Sequence, residues 1–126
     1  MFDITPYQFL EWKRESFCCG DYVLMVLRDH LSLVLPPIEH PEGPGDAPKV
    51  LENYPYRNRF KQIESPQHLC VVELTRFKRA DHVGVCILVG NELMVTHCER
   101  HSGVLVSSFR ELQEHYKIVG YYEYCS

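Results

Sequence analysis

Cys19, His82 and His97 supply a thiol and two imidazoles, the parts from which a nucleophilic hydrolase is built. In such chemistry a thiolate attacks a carbonyl carbon, one imidazole takes and returns the proton, and a second polar group fixes the tautomer and orientation of that imidazole. Cys19 heads an apolar stripe: Tyr22, Val23, Val26 and Leu27 follow it at the spacing of a helix with one buried face. A thiol in the first turn of a helix meets unpaired N–H groups and the positive end of the helix dipole, which can lower its pKa from about 8.5 towards roughly 3.5–7.5. The competing reading is a small core residue, because cysteine is among the most buried residue types.

One turn relates the two histidines. Gly90-Asn91 lies between two apolar runs and predicts a two-residue hairpin. Val89 then faces Glu92 and Gly84 faces His97, so His82 and His97 share a face as diagonal neighbours, about 7–8 Å apart at Cα, with Gly84 leaving room. A three-residue turn would break the parity and part them. Cys86, Leu88, Leu93 and Val95 complete that face and suit packing against a helix. The competing readings are a strand-start histidine bonded to backbone for His82 and a strand-end histidine in solvent for His97.

The elements that must hold these groups follow from punctuation and period. Thr5-Pro6 predicts an N-cap and first helical position, opening a short helix to about Trp12. After the charged link Lys13-Arg14-Glu15-Ser16, the cysteine helix runs to about Leu33 and is stopped by Pro36-Pro37. His30 falls near its exposed end and reads as a surface residue. Residues 36–66 hold seven of the eight prolines and read as a long loop with one helical turn after Asp46-Ala47-Pro48. Such a loop could wall a substrate groove with Tyr54, Tyr56 and Arg57, or be solvated. Five strands follow, at 69–74, 82–89, 93–97, 103–106 and 118–124, and Ser108-Phe109-Arg110-Glu111 is a capping box opening a short helix to about His115. The expected architecture is one α+β domain over residues 1–126, its N-terminal helices packed on a five-stranded antiparallel sheet.

Composition narrows the partners. A formal charge of −4 and the lack of a Lys/Arg run interleaved with aromatics argue against nucleic acid. No apolar run approaches the roughly 18 residues of a membrane span, and Met1-Phe2-Asp3-Ile4-Thr5 lacks a signal peptide's basic start and apolar core. Synthesis as a soluble cytoplasmic protein is expected. Six cysteines without C-x-x-C spacing suggest reduced thiols, with no metal and no cofactor; His97-Cys98 with His101 has ligand-like spacing but needs a further ligand from elsewhere.

Three blocks resemble the NlpC/P60 cysteine peptidase family, in particular its bacteriophage tail members. Cys19-Gly20-Asp21-Tyr22-Val23, continuing to Leu35-Pro36, is similar to the nucleophile helix. His82-Val83-Gly84-Val85 is similar to the His-Val-Gly-Ile/Val strand that carries the base. Val95-Thr96-His97, Gly103-Val104-Leu105 and Ile118-Val119-Gly120-Tyr121-Tyr122 resemble the third catalytic position, the Gly-Val strand and the Gly-Tyr-Tyr terminal strand. The sequence departs from the family in having Cys18-Cys19-Gly20-Asp21 where Asp-Cys-Ser-Gly is usual, and in lacking the Tyr-x-x-Gly-Gly segment before the cysteine. A register with Cys18 as nucleophile would place Asp21 and Met25 at buried positions, which favours Cys19. The resemblance implies a papain-like fold and a Cys19–His82–His97 triad. It implies amide hydrolysis in peptidoglycan stem peptides, association with tail-tip proteins and a place in the virion tail. It also admits a tail-assembly or maturation role, with a tail protein as substrate.

Overall fold

The computed structural model describes residues 2–13, 16–40 and 46–125. Part of the charged link (Arg14 and Glu15) and the Gly-Pro centre of the long loop (41–45) lie outside the described residues. Helix α1 spans Cys19–Leu31, with Cys18 as N-cap and Ser32 in the left-handed region at its C-cap. Its predicted stripe is its buried face: Tyr22, Val23, Val26 and Leu27 are all in the core. The Cys18 N–H donates to the Asp21 carboxylate (2.8 Å), so a residue of the first turn reaches back to satisfy the chain entering the helix.

A helix over Thr5–Trp12 is not formed. The segment makes tight turns instead, with Tyr7 N–H donating to Ile4 O (2.8 Å) and Leu10 N–H to Tyr7 O (3.0 Å). Asp3, not Thr5, caps the first turn, through its carboxylate and the Thr5 N–H (2.9 Å). An eight-residue helix is marginal without tertiary support. Here tertiary contacts favour the turns: Tyr7 is buried edge-on against Tyr22 and its hydroxyl donates to Asp29 on α1 (2.7 Å).

The described part of the long segment after residue 45 carries regular elements. Helix α2, Ala47–Glu52, follows Asp46 where the helical turn is expected. A 3-10 turn at Arg57–Arg59 then leads into an unforeseen strand, β1, Phe60–Ile63. The sheet therefore has six strands, not five. The other five are β2 (Val71–Thr75), β3 (His82–Val89), β4 (Glu92–Glu99), β5 (Gly103–Ser108) and β6 (Lys117–Tyr124), and the spatial order is β1-β6-β2-β3-β4-β5, antiparallel throughout. β2 starts two residues later than predicted because Leu69 adopts a left-handed backbone (φ 68°). Helix α3, Phe109–Gln113, carries the capping box, with Glu111 N–H donating to Ser108 Oγ (3.1 Å) and Ser108 N–H to the Glu111 carboxylate (2.9 Å). Among the described residues no helix is long and apolar enough to cross a membrane.

Both faces of the sheet are covered. On one, α1 packs against Val83, Val85, Ile87 and Cys98, and the Tyr22 hydroxyl lies 2.7 Å from that of Thr96. On the other, Leu112 of α3 and Tyr116 pack with Val72, Leu74, Cys86 and Val95. Because side chains alternate along a strand, His82 and His97 belong to the second face, away from α1.

Candidate active site

Gly90-Asn91 is the two-residue turn the sequence predicts: Val89 pairs with Glu92 and Gly84 with His97. The imidazoles meet, His82 Nε2 lying 2.9 Å from His97 Nδ1 with the rings edge to face. Gly84 is required for this. A Cβ there would lie 2.7 Å from Val95 Cγ1, 2.9 Å from the Thr96 carbonyl oxygen and 3.2 Å from His97 Cβ. Beyond His97 the chain of contacts continues, since its Nε2 lies 3.1 Å from Ser107 Oγ on β5. Tyr116 stacks on His82 with its ring centroid 4.9 Å away and nearly parallel, and its hydroxyl accepts from Arg76 (2.8 Å).

Cys19 arrives from the α1 side at the end of the sheet. Along β3 the Cys86 N–H donates to Cys70 O beside β2, so the odd-numbered residues direct their N–H groups towards β4. The paired register of β3 and β4 stops at Gly84 and His97. The Val83 N–H thus emerges just past it, near enough to Cys19 to favour its thiolate electrostatically, as the Gly20 N–H does. This sets the sulfur beside the His82–Val83 peptide. Among the described residues no hydrogen bond joins the thiol directly to either imidazole. The structure thus brings His82 and His97 into contact and places Cys19 at the backbone of His82.

The electrostatics differ from the helix-terminus expectation. Burial pushes the Cys19 thiol up to about 11; the Val83 and Gly20 N–H groups oppose this, and the Asp21 and Asp81 carboxylates add to it. Desolvation outweighs the helix dipole, because the dipole's benefit is modest while loss of water penalises the thiolate strongly. The imidazoles are displaced the other way. Burial, then His97 and the Arg76 cation, hold His82 well below the usual imidazole range, and burial pushes His97 down to about 4. At neutral pH the site holds a neutral thiol and two neutral imidazoles.

Access is unequal at the two ends. Next to Cys19, Ile38, Asp81 and the α2 residues Val50 and Leu51 leave a cavity of only about 20 Å³. Past His97, a cleft of about 580 Å³ is lined by Arg76, Glu99, Ser107, Glu111 and Tyr116. From the described part of the long segment, Ile38, Tyr54 and Arg57 line a cavity of about 70 Å³ together with Gly20 and Val23 of α1, and their polar groups are engaged within the fold. Arg57 is pinned by a bidentate pair with buried Glu73 (2.6 and 2.9 Å), the Tyr54 hydroxyl donates to Pro36 O (2.6 Å), and Tyr56 lies under the Arg59 guanidinium.

Ser107, Tyr116, Arg76 and Asp81 escape a reading of the sequence, as does His40, whose Nε2 lies 2.8 Å from the Asp21 carboxylate at the head of α1. Ser107 alone had a signal, the alternation of β5 carried across from β4, but the connection at 100–102 does not define a register without coordinates. His97 and Cys98 point to opposite faces, which separates them as partners for one ion. The sequence matches no family model, and no curated protein matches it.

Proposed function

We propose that the chain is a papain-like cysteine peptidase of the NlpC/P60 type, associated with a phage tail and cleaving an amide bond in peptidoglycan stem peptides. The observation that carries this reading is the His82–His97 contact across Gly84, with the helix-start Cys19 near the Val83 backbone that follows His82. In the proposed reaction His82 acts as general base rather than as the imidazolium of a resting ion pair, since both partners are neutral at rest. The Cys19 proton passes to His82 as sulfur attacks the carbonyl carbon, and His97 supports the imidazolium that forms. The first turn of α1, whose initial N–H groups have no helical acceptor, can meet the developing oxyanion. The amine leaves with the proton from His82, and water then releases the acyl group.

Incubation of the purified protein with muropeptides, alongside Cys19→Ala and His82→Ala, tests this. Products from the parent chain alone are expected, and equal products from Cys19→Ala would sink it. A second reading is favoured by the close cover of Ile38 and α2 over Cys19: a tail-tip assembly or maturation component in which the fold docks a partner and hydrolysis is weak or directed at a tail protein. Phage carrying Cys19→Ala that assemble normal tails yet fail to penetrate the wall would exclude it.

A further inference from the structure

We infer that Ser107 is a positioning residue that sets which ring nitrogen of His82 carries the proton. Only the use made of the bare nitrogen rests on the peptidase reading; the proton placement does not. Three side chains form one line of contacts: His82 Nε2 to His97 Nδ1 at 2.9 Å, and His97 Nε2 to Ser107 Oγ at 3.1 Å. Both imidazoles are buried, at 8% and 1% exposure. A neutral imidazole holds one N–H and one bare nitrogen, so the whole line has two consistent proton arrangements.

In the first, His82 donates from Nε2 to His97 Nδ1, His97 donates from Nε2 to Ser107, and His82 Nδ1 is bare. In the second, Ser107 donates to His97 Nε2, His97 donates from Nδ1 to His82 Nε2, and His82 carries its proton on Nδ1. The choice is made at the open end. Ser107 borders the cleft in which Glu99, Glu111 and Glu114 outnumber the cationic Arg76, and Arg76 already donates to Tyr116. A hydroxyl with one proton in an acceptor-rich cleft donates outward, which leaves its lone pairs for the His97 N–H. The first arrangement follows. It gives His82 a bare Nδ1, the nitrogen with which a base can take the Cys19 proton. The second leaves no lone pair there, and a triad histidine held in the wrong tautomer loses about 10⁴ in rate.

The test reads protons directly. Long-range ¹H–¹⁵N spectra of the histidine rings in the full chain at pH 7, assigned with His82→Gln and His97→Gln, should show both rings protonated at Nε2. Ser107→Ala should mix the tautomers of His97 and His82 and slow carboxamidomethylation of Cys19 by iodoacetamide about 10–100-fold, the usual effect of losing an outer-shell partner. Ser107→Thr should restore both, and the exposed Cys125 serves as the internal reference for reagent and fold. A wild-type His82 protonated at Nδ1 overturns the inference. So does a Ser107→Ala chain with unchanged tautomers and an unchanged Cys19 rate. If the tautomers are as stated and no muropeptide is cleaved, the peptidase reading fails and the proton placement stands.

Discussion

His82 Nε2 lies 2.9 Å from His97 Nδ1, across a position where only a glycine fits. A β-carbon at Gly84 would meet a carbonyl oxygen as well as two side chains, and backbone cannot turn aside as a flexible side chain can. Gly84→Ala should therefore destabilise the fold by about 1–3 kcal/mol, the usual cost of overpacking. Urea denaturation measures this, and a variant indistinguishable from the parent would show that the strands part easily and that the histidine contact is loose.

The histidine pair links stability to pH. Both imidazoles titrate lower in the folded chain than the ordinary value near 6.5, so below that value the unfolded chain binds protons that the folded chain refuses. Their contribution is complete above about pH 6.5 and is lost as pH falls through the folded values, which for His97 means about 4. Unfolding free energy should fall from pH 6.5 to pH 4, and His97→Gln should flatten that slope. An unchanged slope in the variant would mean that His97 titrates normally in the fold.

Cys19 should alkylate slowly at neutral pH and faster with an apparent pKa near 11, well above a free cysteine. Asp81 contributes part of this elevation, and its Oδ1 is buried with no hydrogen-bond partner among the described residues. Asp81→Asn removes the charge and should lower the apparent pKa. Site-resolved mass spectrometry across pH follows the thiol, and a parent profile centred below about 8.5 would contradict the neutral resting thiol.

Arg57 joins the 3-10 turn before β1 to buried Glu73 on β2, with a further bond to Leu51 O. Arg57→Ala leaves a carboxylate at 4% exposure without its cation. A loss of about 3 kcal/mol is expected, reduced from the upper range for buried pairs because Arg57 itself is half-exposed. Arg57→Ala with Glu73→Gln should recover part of it. A single variant as stable as the parent would show that the pair is replaceable by water.

The parts legible from the sequence are those governed by short-range rules. The helical stripe of Tyr22, Val23, Val26 and Leu27, the Ser108–Glu111 box and the Gly90-Asn91 parity each depend on a few neighbouring residues. β1 was not legible, because four residues with only their ends partly covered become a strand only by pairing with β6, near the other end of the chain. The turns at 5–9 were not legible either, since Tyr7 is held by Asp29 and Tyr22 rather than by its own segment.

By itself the sequence determined that His82 and His97 share a face and that Cys19 heads a buried helical stripe, because backbone period and turn length dictate which side chains point together. Only the tertiary structure decided that α1 covers the opposite face, that Cys19 lies near the Val83 backbone with no hydrogen bond to either imidazole among the described residues, and that its thiol rests neutral. Periodicity says which residues share a face but not what covers it, and desolvation depends on neighbours such as Ile38, Leu51 and Asp81 that only folding assembles.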